Sequence, residues 1–122
     1  MVVKIKIEGL TKSQAFFAAT NIGIERNVKS SILKAARHVQ NEVKQSISGH
    51  RPEPTSVDTG RFLNSVDIKQ SGFDAEVFTD LTYPKDLENG TSKIPARRHF
   101  ANTAAREKVA VKSILAASLK GL

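Results

Sequence analysis

The feature that most constrains this chain is a stripe in its first half. Val28, Ile32, Ala35, Val39, Val43 and Ile47 recur at steps of three and four. That spacing lines one face of an α-helix. Lys29, Lys34, Arg37, Asn41, Lys44 and Gln45 fall away from the stripe. The pattern predicts helix over residues 12–48, about 55 Å long at 1.5 Å per residue and so able to project past a compact body of this size. Gly23 is its weak point, because glycine costs about 1 kcal/mol in a helix interior. The helix is expected to kink or divide at Asn21–Gly23.

The remaining elements are shorter. Residues 2–7 are β-branched and alternate, with Val3, Ile5 and Ile7 on one face, which predicts a strand. Residues 48–59 contain Gly49, Pro52 and Pro54 and read as a loop. Asp58 or Thr59 is expected to cap a short helical turn running from Gly60 to Ser65. Residues 66–70 and 75–79 predict a hairpin about the turn Ser71–Asp74. Pro84 to Asn89 predicts a second short helix, with proline at its start and Gly90 as its C-terminal cap. Residues 91–99 lack apolar periodicity and read as an exposed basic loop. Phe100 to Leu119 predicts a closing helix with Phe100, Ala104, Val111 and Leu115 on one face. With 122 residues, 39% of them hydrophobic, the chain can fill one core but not two. The expected fold is therefore one α+β domain over 1–122, with a small antiparallel sheet, a long N-terminal helix and a C-terminal helix. Loops at about 48–58 and 91–99 are expected to be exposed.

Charge is distributed unevenly. The net charge is +7, but residues 1–48 carry +5, residues 49–90 carry −4 and residues 91–122 carry +6. A protein that coats DNA would not need the acidic middle. Copies that assemble could use it, because surfaces of opposite sign attract and set orientation. The chain has no cysteine, which excludes disulfides, thiolate zinc sites and cysteine nucleophiles. The longest apolar run is Ala15–Ala19, and the alternating start has no apolar targeting region. No membrane association is expected, and the protein is expected to act in the cell that makes it or in something assembled there.

The residues do not spell out a catalytic set. His38, His50 and His99 have no mutual spacing that builds a metal site, and His38 reads as a residue at the edge of the helix stripe. Ser65 and Ser71 have no base and orienter marked out for them. The middle carboxylates (Asp58, Asp67, Asp74, Glu76, Asp80, Asp86, Glu88) are numerous enough for a two-metal nuclease only if several converge, and an exposed hairpin face explains them equally well. No phosphate loop is present, and neither a cofactor nor a metal is expected. Arg97-Arg98-His99 is the strongest cationic cluster. It fits a phosphate-gripping loop, and it also fits a loop that pairs with a neighbour's acidic segment. The flanking positive charge lowers the proton affinity of His99.

Two segments carry a resemblance. Val57-Asp58-Thr59-Gly60-Arg61-Phe62-Leu63-Asn64-Ser65-Val66 is the first. Tyr83-Pro84-Lys85-Asp86-Leu87-Glu88-Asn89-Gly90-Thr91-Ser92-Lys93-Ile94-Pro95-Ala96-Arg97 is the second. Set between a long helix and a phenylalanine-led C-terminal helix, this order resembles the tail-completion, or neck, proteins of long-tailed bacteriophages. The likeness covers most of residues 10–105. Arg98-His99 stands where a proline or another small or apolar residue is expected, and Ala101 where a larger aliphatic is usual. The resemblance implies a non-enzymatic structural protein at the head–tail junction of a virion, assembled in the host cytoplasm. It implies a ring of six subunits bound to other neck and tail proteins, with DNA passing through it without sequence-specific binding. Ring interfaces are heterologous and need two complementary surfaces per subunit. Lys93, Arg97, Arg98 and His99 on one side, with Asp86 and Glu88 on the other, are the expected contact residues. Loop 91–99 is expected to order on assembly, and assembly to be sensitive to salt. The competing expectation is a small basic nucleic-acid-binding protein or an RNA-cleaving toxin.

Overall fold

The computed structural model describes residues 3–8, 22–53, 60–81, 83–92 and 95–119. The chain is α+β, as its patterning predicts. In order, the elements are β1 (Val3–Glu8), α1 (Ile22–Ile47), α2 (Arg61–Ser65), β2 (Asp67–Ser71), β3 (Asp74–Thr79), α3 (Tyr83–Asn89) and α4 (His99–Leu119). The expected helical stretch 12–21 and the proposed caps Asp58 and Thr59 lie outside the described residues. Gly23 falls within the first turn of α1, and a 26-residue helix runs about 39 Å.

The three strands form an antiparallel sheet in the order β1-β3-β2. The hairpin β2–β3 turns tightly, with Ser71 paired to Asp74. The first strand joins on the far side of β3, with Ile5 opposite Val77 and Ile7 opposite Ala75. Period-two alternation therefore collects Ile7, Ala75 and Val77 on one buried face. Helix α1 lies across β2 and β3, helix α4 runs along β1, and the two helices share the largest interface of the fold. All six residues of the sequence stripe are buried. Phe62, Val66 and Phe100 close the same core, and Val111 and Leu115 pack at its edge.

Two glycines fix the turns that matter to the site. Gly60 precedes α2 with φ of 80°, and its carbonyl accepts from Asn64 N–H at 2.9 Å. A Cβ there would meet Asn64 at an ordinary 3.6 Å, so backbone conformation and not space selects glycine. Gly60 itself occupies the capping position of α2, with no side-chain hydrogen bond to the helix. Gly90 has φ of 78° and donates to Asp86 O at 2.8 Å, the left-handed exit expected of a helix end. Among the described residues, no helix is long and apolar enough to cross a membrane.

Candidate functional site

Two polar clusters join α1 to α4. The first is buried. Ser46 lies on the inward face of α1 and Glu53 in the loop after it, 0% and 6% exposed. Ser46 Oγ donates to Glu53 Oε1 at 2.6 Å. Arg106 of α4 grips the same carboxylate with both terminal nitrogens, at 3.0 and 3.1 Å, and Asn102 donates at 3.3 Å. Burial pushes the Glu53 carboxyl up, but Arg106, Ser46 and Asn102 together outweigh it and hold the group at about 2. A planar guanidinium matches a carboxylate bidentately, which is why an arginine suits this position.

His99 completes this cluster. Its Nδ1 lies 2.8 Å from Ser46 Oγ. The serine has one proton, and it goes to Glu53, which as a carboxylate can only accept. His99 Nδ1 therefore carries a proton and donates to Ser46. Burial is the main reason that His99 sits at about 4, and Arg97 adds to the lowering. Phe62 meets the imidazole edge-on at 6.0 Å and stacks near Phe100 at 6.4 Å. Serine, histidine and glutamate are the residue types of a hydrolase triad, but their order is wrong for one. Here the serine stands between the other two, whereas a nucleophile needs the imidazole between serine and acid. The cluster is built to anchor the start of α4.

The placement of His99 corrects the expected exposed loop. His99 is fully buried and belongs to α4. Arg98 turns the chain inward with φ of 53°, an unusual conformation for a residue with a side chain. Its carbonyl accepts from Asn102 N–H at 2.9 Å and so begins the helix. Arg98 is exposed, and Arg97 is half-buried with its N–H donating to Leu87 O at 2.7 Å. Glu88 is also turned inward. Its carboxylate accepts from Phe100 N–H at 2.8 Å and Ala101 N–H at 2.7 Å. A carboxylate there satisfies helix donors and complements the helix dipole. Asp86 is exposed, and Lys93 lies outside the described residues. The attraction between acidic middle and basic tail is thus partly used within one chain, by Glu53 with Arg106.

The second cluster is more open. His38 and Glu42 lie one turn apart on α1, and Glu107 faces them from α4. His38 Nε2 is 2.9 Å from Glu107 Oε1. Arg51 holds both oxygens of Glu42, at 2.8 and 3.0 Å. The hydrogen bond from Arg51 is the main reason the Glu42 carboxyl titrates below the ordinary range, and it outweighs the effect of burial. Ligand atoms of His38, Glu42 and Glu107 all lie within 4.8 Å of one another. Sequence spacing pairs His38 with Glu42 but does not reveal Glu107, which is remote in the chain.

Beside this cluster a shallow groove runs between β1 and α4. Ile5, Ile7, Val111 and Leu115 give it an apolar floor, and Lys6, Lys108 and Lys112 stand on its rim. Comparison with protein-family models gives no match, and comparisons with curated proteins and with solved structures give none either.

Proposed function

We propose that this protein is a structural subunit of the head–tail joining region of a long-tailed bacteriophage, assembling as a ring that helps to join tail to capsid. The reading rests on the resemblance of its ordered motifs to tail-completion proteins. One structural observation supports it above others: the motifs converge. Gly60 starts the turn that brings Phe62 against His99 and Phe100. Glu88, from the second motif, caps the same helix end. Residues separated in sequence thus serve a single junction.

A head-to-tail ring requires two unlike surfaces on each subunit. Lys108 and Lys112 are exposed on α4 and Asp86 on α3, while the sheet exposes both signs, Asp67 beside Lys4, Lys6 and Lys69. The nucleic-acid reading retains the net charge and exposed Arg98, but burial of His99 removes the imidazole from the basic run as an accessible acid or base.

Deletion of the reading frame followed by electron microscopy tests the proposal. The expected particles are filled heads and separate tails, which join when the protein is added back. Normal joined virions would overturn the reading.

A further inference from the structure

We propose that His38, Glu42 and Glu107 form a binding site for one divalent transition-metal ion of the zinc class. The ligand chemistry is mixed: one imidazole and two carboxylates. Such sets suit Zn²⁺, Co²⁺ or Mn²⁺ better than the all-oxygen shells of Ca²⁺ and Mg²⁺. The three ligand atoms already lie within 4.8 Å of one another. Ligands on a tetrahedral zinc stand about 3.4 Å apart, so small rotations of three flexible side chains complete the shell. A fourth position would remain for water.

The framework holds these residues close without an ion. His38 and Glu42 project from successive turns of α1, which share one helix face. Glu107 comes from α4, across the most extensive interface of the fold. The side chains of Glu42 and Glu107 are only 12% and 16% exposed. Two carboxylates at that depth repel each other unless cations neutralise them. Arg51 answers for Glu42, and His38 Nε2, 2.9 Å from Glu107 Oε1, faces Glu107 and can offer it a proton. A metal ion would replace that proton and meet both carboxylates at once.

Arg51 gives the proposal its sharpest consequence. It belongs to the loop after α1, and it competes with the ion for Glu42. Removing it should tighten metal binding, although it contributes a favourable ion pair to the metal-free protein.

The experiment uses the full chain after dialysis against chelator, titrated with Zn²⁺ by calorimetry and with Co²⁺ by visible absorption. One equivalent per chain is expected, and excess Zn²⁺ at about a hundred times Kd should raise the unfolding midpoint by roughly 5–10 °C. His38→Ala and Glu107→Gln should each weaken binding by tenfold or more, on the order of the loss seen when a metal site is perturbed. Arg51→Ala should strengthen it, and His50→Ala should leave it unchanged. Should the ligand variants fail to fold, the ring resonances of the wild-type histidines decide. Selective displacement of the His38 signals by Zn²⁺ supports the site. Absence of saturable binding overturns it, as does binding that follows His50 or ignores Glu107→Gln.

Discussion

The two clusters between α1 and α4 use the same chemistry at different depths. Each sets one histidine near a carboxylate that a bidentate arginine holds. Around Glu53, the carboxylate, Ser46, His99 and Thr103 are buried, and the Arg106 side chain, 30% exposed, reaches solvent. Around Glu42, the arginine and the histidine keep about a third of their side-chain surface in solvent. Depth decides what each can do. In the enclosed cluster the carboxylate, hydroxyl and imidazole are shielded from water, so their bonds to one another are not open to replacement by solvent. The open one can trade Arg51 for another cation. An ion pair in a protein is thus better classed by what replaces it than by its geometry.

The largest effect should come from Arg106→Ala. It leaves the Glu53 carboxylate buried without its cation, which costs about 3 kcal/mol, read from urea unfolding of the full chain. A loss under about 1 kcal/mol would mean that Glu53 behaves as a surface acid and would erase the contrast.

Acid should separate the two clusters next. His99 titrates at about 4 in the folded chain, against 6.5 for an ordinary histidine. The unfolded chain therefore binds more protons in between, and stability falls as pH drops from 6.5 to 4, by up to about 3 kcal/mol. Glu53, at about 2 against 4.5, adds a second loss as pH falls through that lower window. His99→Asn retains an N–H donor without a titrating ring. It should abolish the first slope and leave the second, as measured by unfolding at stepped pH.

Ser46→Ala should cost about 1–2 kcal/mol, because it strands the His99 donor and removes one donor to Glu53. At the open cluster, Arg51→Ala should lower the thermal midpoint by less than Arg106→Ala does, because Glu42 is less deeply buried than Glu53 and water can reach it once the guanidinium is gone. A drop as large as that of Arg106→Ala would show that both clusters are structural.

The difference in depth also explains what the sequence could reveal. The stripe from Val28 to Ile47 is legible because a helix repeats locally, and each residue predicts its neighbours. The hairpin is legible for the same reason. The buried cluster was not, because Ser46, Glu53, His99 and Arg106 meet only after the chain folds back. In the sequence His99 reads as exposed because it follows two arginines, yet the reversal at Arg98 turns it inward. One signal was available. Ser46 follows Val43 by three positions and adjoins Ile47, so it sits on the buried face of α1 and must find a polar partner there. No comparable signal marks Glu107, the only acid in the last 32 residues, as a partner of His38.

The order of the sheet has a consequence in time. Among the described strands, β1 is made first, and its partner is β3, with Val3 opposite Thr79. A ribosome adding about 5–20 residues per second leaves β1 without its neighbour for several seconds or more. The wait for α4 is longer still, because its anchors at Ser46, Glu53, Phe62 and Glu88 all precede it. Among the described helices, the last to emerge is therefore the one that closes the core. Until it arrives, the nascent chain holds a prepared seat whose acidic and aromatic lining has nothing to grip.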